Sequence, residues 1–431
     1  MSAPTVGIVV GGGPAPGINA VIGAATIRAC VEGATVLGIR DGFDWLMRGD
    51  TNHVTPLTIE AVSRIHFRGG SNIGISRANP VAFPGGVEAT LGALARLGIS
   101  RLITIGGDGT ASTATALEGA AAGRLAVVHV PKTIDDDLPL PSYVDSFGYQ
   151  TARHLGAEIV KNLMVDARTT SRWYFVVTAG RRAGHLALGI GKAAGATLTL
   201  ISEEFDGVVR LQELVDTLAG AIIKRLSEGR RDGVAMLAEG LAFSVAPEDL
   251  VGLHDAGVDP YGQPRIADMN IGEILRMRVA ARLREFGLSV PITAKNIGYE
   301  LRCADPIPMD LEYARDLGAC AATHVLSGGH GDMISLQGGR FVPVPLVDLL
   351  DPETGRARMR LVDTSSTRYQ IAQRYMIRLR PDDFENPQQL RRLADVVGTS
   401  DAEFTRAFSA VARPADGTRH RAAVTVSSTT L

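Results

Sequence analysis

The sequence predicts an α/β protein with mostly parallel sheets, on three observations. Short β-branched runs alternate with longer stretches of helical spacing, the order expected when parallel strands are joined by covering helices. Glycine-rich or charged turns stand directly after the strand-like runs. The 431 residues, 45% of them hydrophobic, are enough for two or three domains at about 100–200 residues each, with a large core.

Taken in order, the buried strands are expected at 6–10, 34–39, 101–105, 125–130, 173–178, 197–201 and 233–238. The first of these, Val6-Gly7-Ile8-Val9-Val10, is typical in being short and almost wholly apolar. Helical length and spacing place helices at 17–31, 58–66, 111–121, 149–164, 184–193, 210–228 and 271–286. Residues 331–345 read as a hairpin around Gly338-Gly339. Two α/β halves follow, 1–150 and 151–295, with a segment 296–412 returning to both. A loose polar tail is expected at 413–431.

Charge and cysteine usage narrow the partners. Forty-four basic residues face 46 acidic ones, so the footprint of a nucleic-acid binder is missing and no nucleic acid is expected. No run of about 18 apolar residues marks a membrane span. Three cysteines (Cys30, Cys303, Cys320) are too few and scattered for a disulfide framework, and no leader pattern precedes Val6. The expectation is a soluble, cytoplasmic protein. Only five of the 44 basic residues are lysines (Lys132, Lys161, Lys192, Lys224, Lys295), which makes each worth locating.

Sheets of this kind bind ligands at the carboxyl ends of their strands, and five turns there carry chemistry. They predict one shared cleft. Gly11 to Gly17, including Gly12 and Gly13, lets backbone amides approach a phosphate beside a helix start, although Pro14 and Pro16 remove two donors; a plain turn is the competing reading. Gly106-Gly107-Asp108-Gly109-Thr110 leaves an open backbone beside one acid, suited to magnesium bridging phosphate oxygens, since magnesium takes one or two carboxylates plus substrate oxygens. The bland alternative is a helix-capping aspartate. Pro131 to Asp137 offers Lys132 for a phosphate, with Thr133 and three aspartates, one of which could take a proton from an attacking hydroxyl. A solvated acidic loop would look the same. Arg77, Arg172 and Arg181-Arg182 stand near glycine-rich turns or strand ends, where guanidinium forks match phosphate oxygens. Ser202-Glu203-Glu204 follows another strand.

These residues closely resemble the phosphofructokinase family. The likeness rests on Gly106-Gly107-Asp108-Gly109-Thr110, Pro131-Lys132-Thr133-Ile134-Asp135-Asp136-Asp137, Ala179-Gly180-Arg181 and Ile297-Gly298-Tyr299-Glu300-Leu301-Arg302. Order and spacing agree from about Val6 to about Leu326. The segments 12–19 and 299–302 are most similar to a long bacterial branch described as pyrophosphate-dependent. The resemblance implies two Rossmann-like three-layer α/β domains and transfer of a phosphoryl group to the 1-hydroxyl of fructose 6-phosphate. It places Asp135 as the base, with Asp137, Thr133, Lys132 and Arg181 around the transferring group. Asp108 takes the magnesium position. Gly12, Gly13, Arg77, Gly107, Asp108, Gly109 and Thr110 fall on the donor side; Arg172, Gly180, Glu203, Lys295, Tyr299 and Arg302 fall on the sugar phosphate. In this family the 6-phosphate pocket is completed by a neighbouring subunit, which implies a homodimer or homotetramer.

Several positions depart from the family's pattern. Pyrophosphate users typically carry a second aspartate where Gly109 stands, one that would obstruct the α-phosphate of ATP; Lys132, in contrast, is the residue of pyrophosphate users. The pair resembles some eukaryotic ATP users, so ATP is the favoured donor and pyrophosphate the alternative. Asp136 replaces an asparagine and adds charge beside the base, Ala179 replaces a methionine, and Ser202 replaces a proline, so another ketose phosphate is an open acceptor. Two other readings are an NAD or lipid kinase, which lacks the Tyr299–Arg302 segment, and a non-catalytic sugar-phosphate sensor of the same fold, against which Asp135 argues.

Overall fold

The computed structural model describes residues 3–141, 143–205, 207–250, 270–349 and 358–414. Most of the tail expected at 413–431 lies outside those residues. Strands form at β1 (Thr5–Val10), β2 (Thr35–Ile39), β3 (Val54–Leu57), β4 (Ile99–Gly106), β5 (Ala126–Thr133), β6 (Phe147–Gly148), β7 (Trp173–Thr178), β8 (Leu198–Leu200), β9 (Gly233–Ala238), β10 (Ile292–Ile297), β11 (Asp332–Met333), β12 (Leu336–Gln337), β13 (Arg340–Phe341) and β14 (Val344–Pro345). The chain divides into two units, Met1–Gly156 with Ile297–Leu361, and Ala157–Asn296 with Val362–Leu431.

The first unit is built on an eight-stranded sheet ordered β14-β11-β5-β4-β1-β2-β3, with β6 paired to β5. Its centre is parallel, β11 to β5 to β4 to β1 to β2, and antiparallel β3 and β14 close the edges. Pro56 lies in edge strand β3, where a missing amide costs least. Val6, Ile8, Val9, Val10, Leu102, Ile103 and Val128 are fully buried, as required of strands covered on both faces. Helix Ile18–Val31 and helix Pro308–Leu326 bury one face of the sheet together. They approach closely because Gly318 faces the backbone of Val21, where a Cβ would stand 2.5 Å from the Val21 carbonyl oxygen. The hairpin expected at 331–345 forms, with β12 paired to β13 and both turn glycines, Gly338 and Gly339, at positive φ.

The second unit has a four-stranded sheet ordered β10-β7-β9-β8, with β7, β9 and β8 parallel. Helices Leu211–Ser227 and Ile271–Glu285 and the C-terminal helices Thr367–Tyr375, Pro387–Val396 and Asp401–Phe408 supply its apolar core. The α/β class with mostly parallel sheets is borne out. One helix is shorter than its spacing implied: 58–66 contains only Ile59–Val62. Beyond it, Asn19 accepts the Asn72 amide (2.7 Å) and donates to the carbonyls of Arg68 (3.0 Å) and Gly69 (3.3 Å), so the backbone is held as a loop.

Candidate active site

In the first unit the chain runs from β1 to β2 on one side and returns to β4 on the other, so β1 and β4 part at a switch point in strand order. Crevices at the carboxyl ends of such strands are where open α/β sheets bind ligands. The Gly11–Gly17 loop leaves β1 there. The Gly11 amide donates to the Ile105 carbonyl (2.9 Å) and the Gly12 amide to the Ser76 carbonyl (2.9 Å), which brings the loop that carries Arg77 alongside; Arg77 itself is exposed.

β4 hands directly into helix Asp108–Ala121, with Gly107 as N-cap. A helix start presents unpaired amides and a favourable dipole to an anion. The Thr110 side chain, expected on the donor side, packs against the backbone of the two glycine loops. A Cβ on Gly106 would stand 2.2 Å from its hydroxyl oxygen and one on Gly11 2.4 Å, so glycine is required at both. Gly109 differs: it is exposed, its φ is ordinary, and a Cβ there would meet nothing within 4 Å. Asp108 is half-buried at the first helical position. Among the described residues no three Asp, Glu, His or Cys side chains gather into a metal-holding group. A lone carboxylate beside two glycines fits a magnesium ion held mainly by phosphate oxygens and does not fit a metal caged by protein.

β5 delivers Lys132, buried at 4% exposure, whose ammonium donates to the Gly13 carbonyl. The amide of Asp135 donates to Thr133 Oγ1 (3.0 Å), turning the chain out of the strand. Asp136 has a φ of 58°, a conformation asparagine and aspartate tolerate better than most residues. Its carboxylate accepts the Ser146 amide (2.9 Å) and pairs with Arg360. Burial raises its pKa to about 7, against the lowering effect of Arg360. Asp136 is thus a buried, paired group, and the extra charge expected beside the base is offset within the fold. His129, in the same strand, is fully buried against Thr104 (2.9 Å), and burial lowers its pKa to about 3; it is a neutral core residue.

The segment Tyr299–Arg302 also stands at this loop cluster. Arg302 stacks on Tyr299 (4.3 Å), and its Nη1 lies 3.8 Å from where a Gly13 Cβ would be. The neighbouring Asp305 accepts the Gly69 amide (2.8 Å). The first unit therefore gathers Gly12, Gly13, Lys132 and Arg302, with Gly107 to Thr110 on the adjoining strand end.

In the second unit Gly180 and Arg181 follow β7, and both amides donate to Glu239 Oε1, at 3.2 and 2.7 Å. Glu239 stands directly after β9; inspecting every strand end for a carboxylate would have found it. Glu203 is committed to its own chain. Its Oε1 accepts the amides of Gly184 (2.8 Å) and Val362 (3.0 Å), and Oε2 accepts the Ser202 hydroxyl (3.1 Å). Arg172 precedes β7 and donates to Thr170 Oγ1 (2.8 Å). It is a full strand, roughly 17–20 Å, from Arg181, so the two are not brought together within the unit. Lys295 is half-buried in β10.

In the first unit, glycine-rich strand ends with a buried lysine, Arg302 and an aspartate at a helix start make a cradle suited to phosphate. Residues 5–325 match the family described as phosphofructokinase, and the chain belongs to that family. It is an enzyme, a phosphotransferase of the 6-phosphofructokinase type. It is 48% identical over 408 residues to "Pyrophosphate-fructose 6-phosphate 1-phosphotransferase" of Thermotoga maritima, covering 94% of this chain and 97% of that protein. It is 46% identical over 415 residues to the protein of the same name from Naegleria fowleri, covering 94% and 95%. The solved structure of the pyrophosphate-dependent phosphofructokinase from Marinobacter aquaeolei shares the fold, with TM-score 0.65 at 15% identity over 96% of this chain and 95% of that one. No helix among the described residues is long and apolar enough to cross a membrane.

Proposed function

We propose that the protein transfers a phosphoryl group from pyrophosphate to the 1-hydroxyl of fructose 6-phosphate. The observation carrying the donor is Lys132, a buried ammonium fixed on the Gly13 carbonyl at the phosphate loop, in a chain nearly half identical to two proteins named for pyrophosphate. The preference for ATP drawn from Gly109 gives way to this. The open space at Gly109 admits a larger donor without requiring one.

Asp135 is the base that takes the proton of the attacking hydroxyl, a role worth about 10²–10⁴ in rate. Thr133 sets its backbone, and Asp137 and Arg181 attend the transferring group. Lys132, the glycine amides and the helix start at Asp108 offset phosphate charge, which is most of what phosphoryl transfer requires of a protein. Asp108 would hold magnesium, which supplies charge neutralisation on the phosphate oxygens. Tyr299 and Arg302 bind the acceptor's phosphate. Arg172 and Lys295 serve the same phosphate, and Arg172, at the opposite end of β7 from Arg181, does so from another copy in a homo-oligomer. Glu203 supports the sugar subsite through its backbone partners, and Glu239 orients Gly180 and Arg181.

Purified Asp135→Ala is expected to lose about 10²–10⁴-fold in kcat while still binding fructose 6-phosphate by calorimetry. Turnover within tenfold of the parent would remove Asp135 from the role of base.

A further inference from the structure

One buried cation is spent on the catalytic loop and lies far from it in sequence. Arg360 donates from Nε to the Asp136 carbonyl (3.0 Å), and from Nη1 to the carbonyls of Leu140 (3.3 Å), Pro141 (2.9 Å) and Val144 (2.7 Å). Its Nη2 closes on the Asp136 carboxylate, and its own amide donates to the Asp137 carbonyl (2.8 Å). The two side chains are 12% and 7% exposed.

We propose that Arg360 is a positioning residue for phosphoryl transfer: by holding the Asp136 carboxylate and the carbonyls of residues 136, 137, 140, 141 and 144, it fixes the backbone from which Asp135 and Asp137 project. The inference rests on the reading of Asp135 as base. Three consecutive carboxylates repel one another, and a loop in which all three compete for solvent would have many arrangements. Turning the middle one inward at positive φ onto a guanidinium removes one charge from the cluster and leaves its neighbours flanking a fixed turn. Only arginine presents a planar fork wide enough to serve a carboxylate and several carbonyls at once; lysine has the charge without the geometry. Misplacing a base by about 1 Å costs on the order of 10²-fold in rate.

The test uses the full chain as the parent, Arg360→Met, Arg360→Lys and the double variant Asp136→Asn/Arg360→Met, with pyrophosphate, magnesium and fructose 6-phosphate. Arg360→Met is expected to lower kcat per folded molecule about 100-fold with KM for fructose 6-phosphate within threefold, and Arg360→Lys to fall between it and the parent. The double variant should recover at least tenfold over Arg360→Met, because no carboxylate is left buried and unpaired. Hydrogen exchange over residues 134–146 should accelerate at least tenfold in Arg360→Met and recover in part in Arg360→Lys. Unchanged kcat, a change confined to KM, no recovery in the double variant, or unchanged exchange would each overturn the proposal. Should Arg360→Met not fold, Arg360→Lys and the double variant decide it by the same readings. A parent that turns over no substrate defeats the function proposed above, and the exchange experiment still decides the positioning.

Discussion

Replacing Asp136 by asparagine isolates the electrostatic cost of the catalytic loop. Burial raises the Asp136 pKa from an ordinary 3.8 to about 7, with Arg360 working in the opposite direction. In the unfolded chain the carboxyl loses its proton near 4, whereas the native protein holds it to about 7. Between those values the native state binds more protons than the unfolded state, so stability falls as pH rises. Below about pH 4 the contribution is absent, and above 7 it is complete. A shift of about three units at 1.36 kcal/mol each amounts to roughly 4 kcal/mol. Asparagine does not titrate, keeps the shape, and tolerates the positive φ of this position. Urea unfolding of parent and Asp136→Asn at pH 4, 5, 6, 7 and 8 should show the parent losing about 4 kcal/mol relative to the variant across the series. Parallel profiles, or a parent that gains on the variant with rising pH, would refute the burial argument.

Three further outcomes follow from the same geometry. Gly109→Asp should fold with unchanged or slightly raised stability, since the site is open and an acid in a first helical turn contributes about 0.3–1 kcal/mol; any residual use of ATP should fall more than use of pyrophosphate, and equal losses would count against the steric account. Gly106→Ala forces a methyl against Thr110 and should cost about 1–3 kcal/mol in thermal unfolding while impairing donor binding; an unperturbed melting temperature would contradict the close packing drawn here. Lys132→Met should reduce kcat by about 10²–10³ and leave the Gly13 carbonyl without its ammonium, and a loss confined to KM would mean that Lys132 binds donor without favouring the transition state.

Much of this was legible in the residues because parallel strands buried on both faces are uniform apolar runs. The strands expected at 6–10, 173–178 and 233–238 form within a residue of those limits. Edge and mixed elements were harder. β3 contains a proline and pairs antiparallel, and helix Pro308–Leu326 owes its place to packing on helix Ile18–Val31 through Gly318. The loops that carry chemistry announced themselves by glycine and charge. Their partners did not: Arg360 lies 224 residues from Asp136, and no local pattern separates it from the other arginines. The packing of Thr110 against Gly11 and Gly106, and the three groups of its own chain that Glu203 binds, were equally invisible to the motifs.

Which donor the enzyme uses is decided by a steady-state comparison of pyrophosphate with ATP. Purified protein with magnesium and saturating fructose 6-phosphate should show kcat/KM at least 100-fold higher for pyrophosphate. A preference for ATP under the same conditions would contradict the account and return the decision to Gly109.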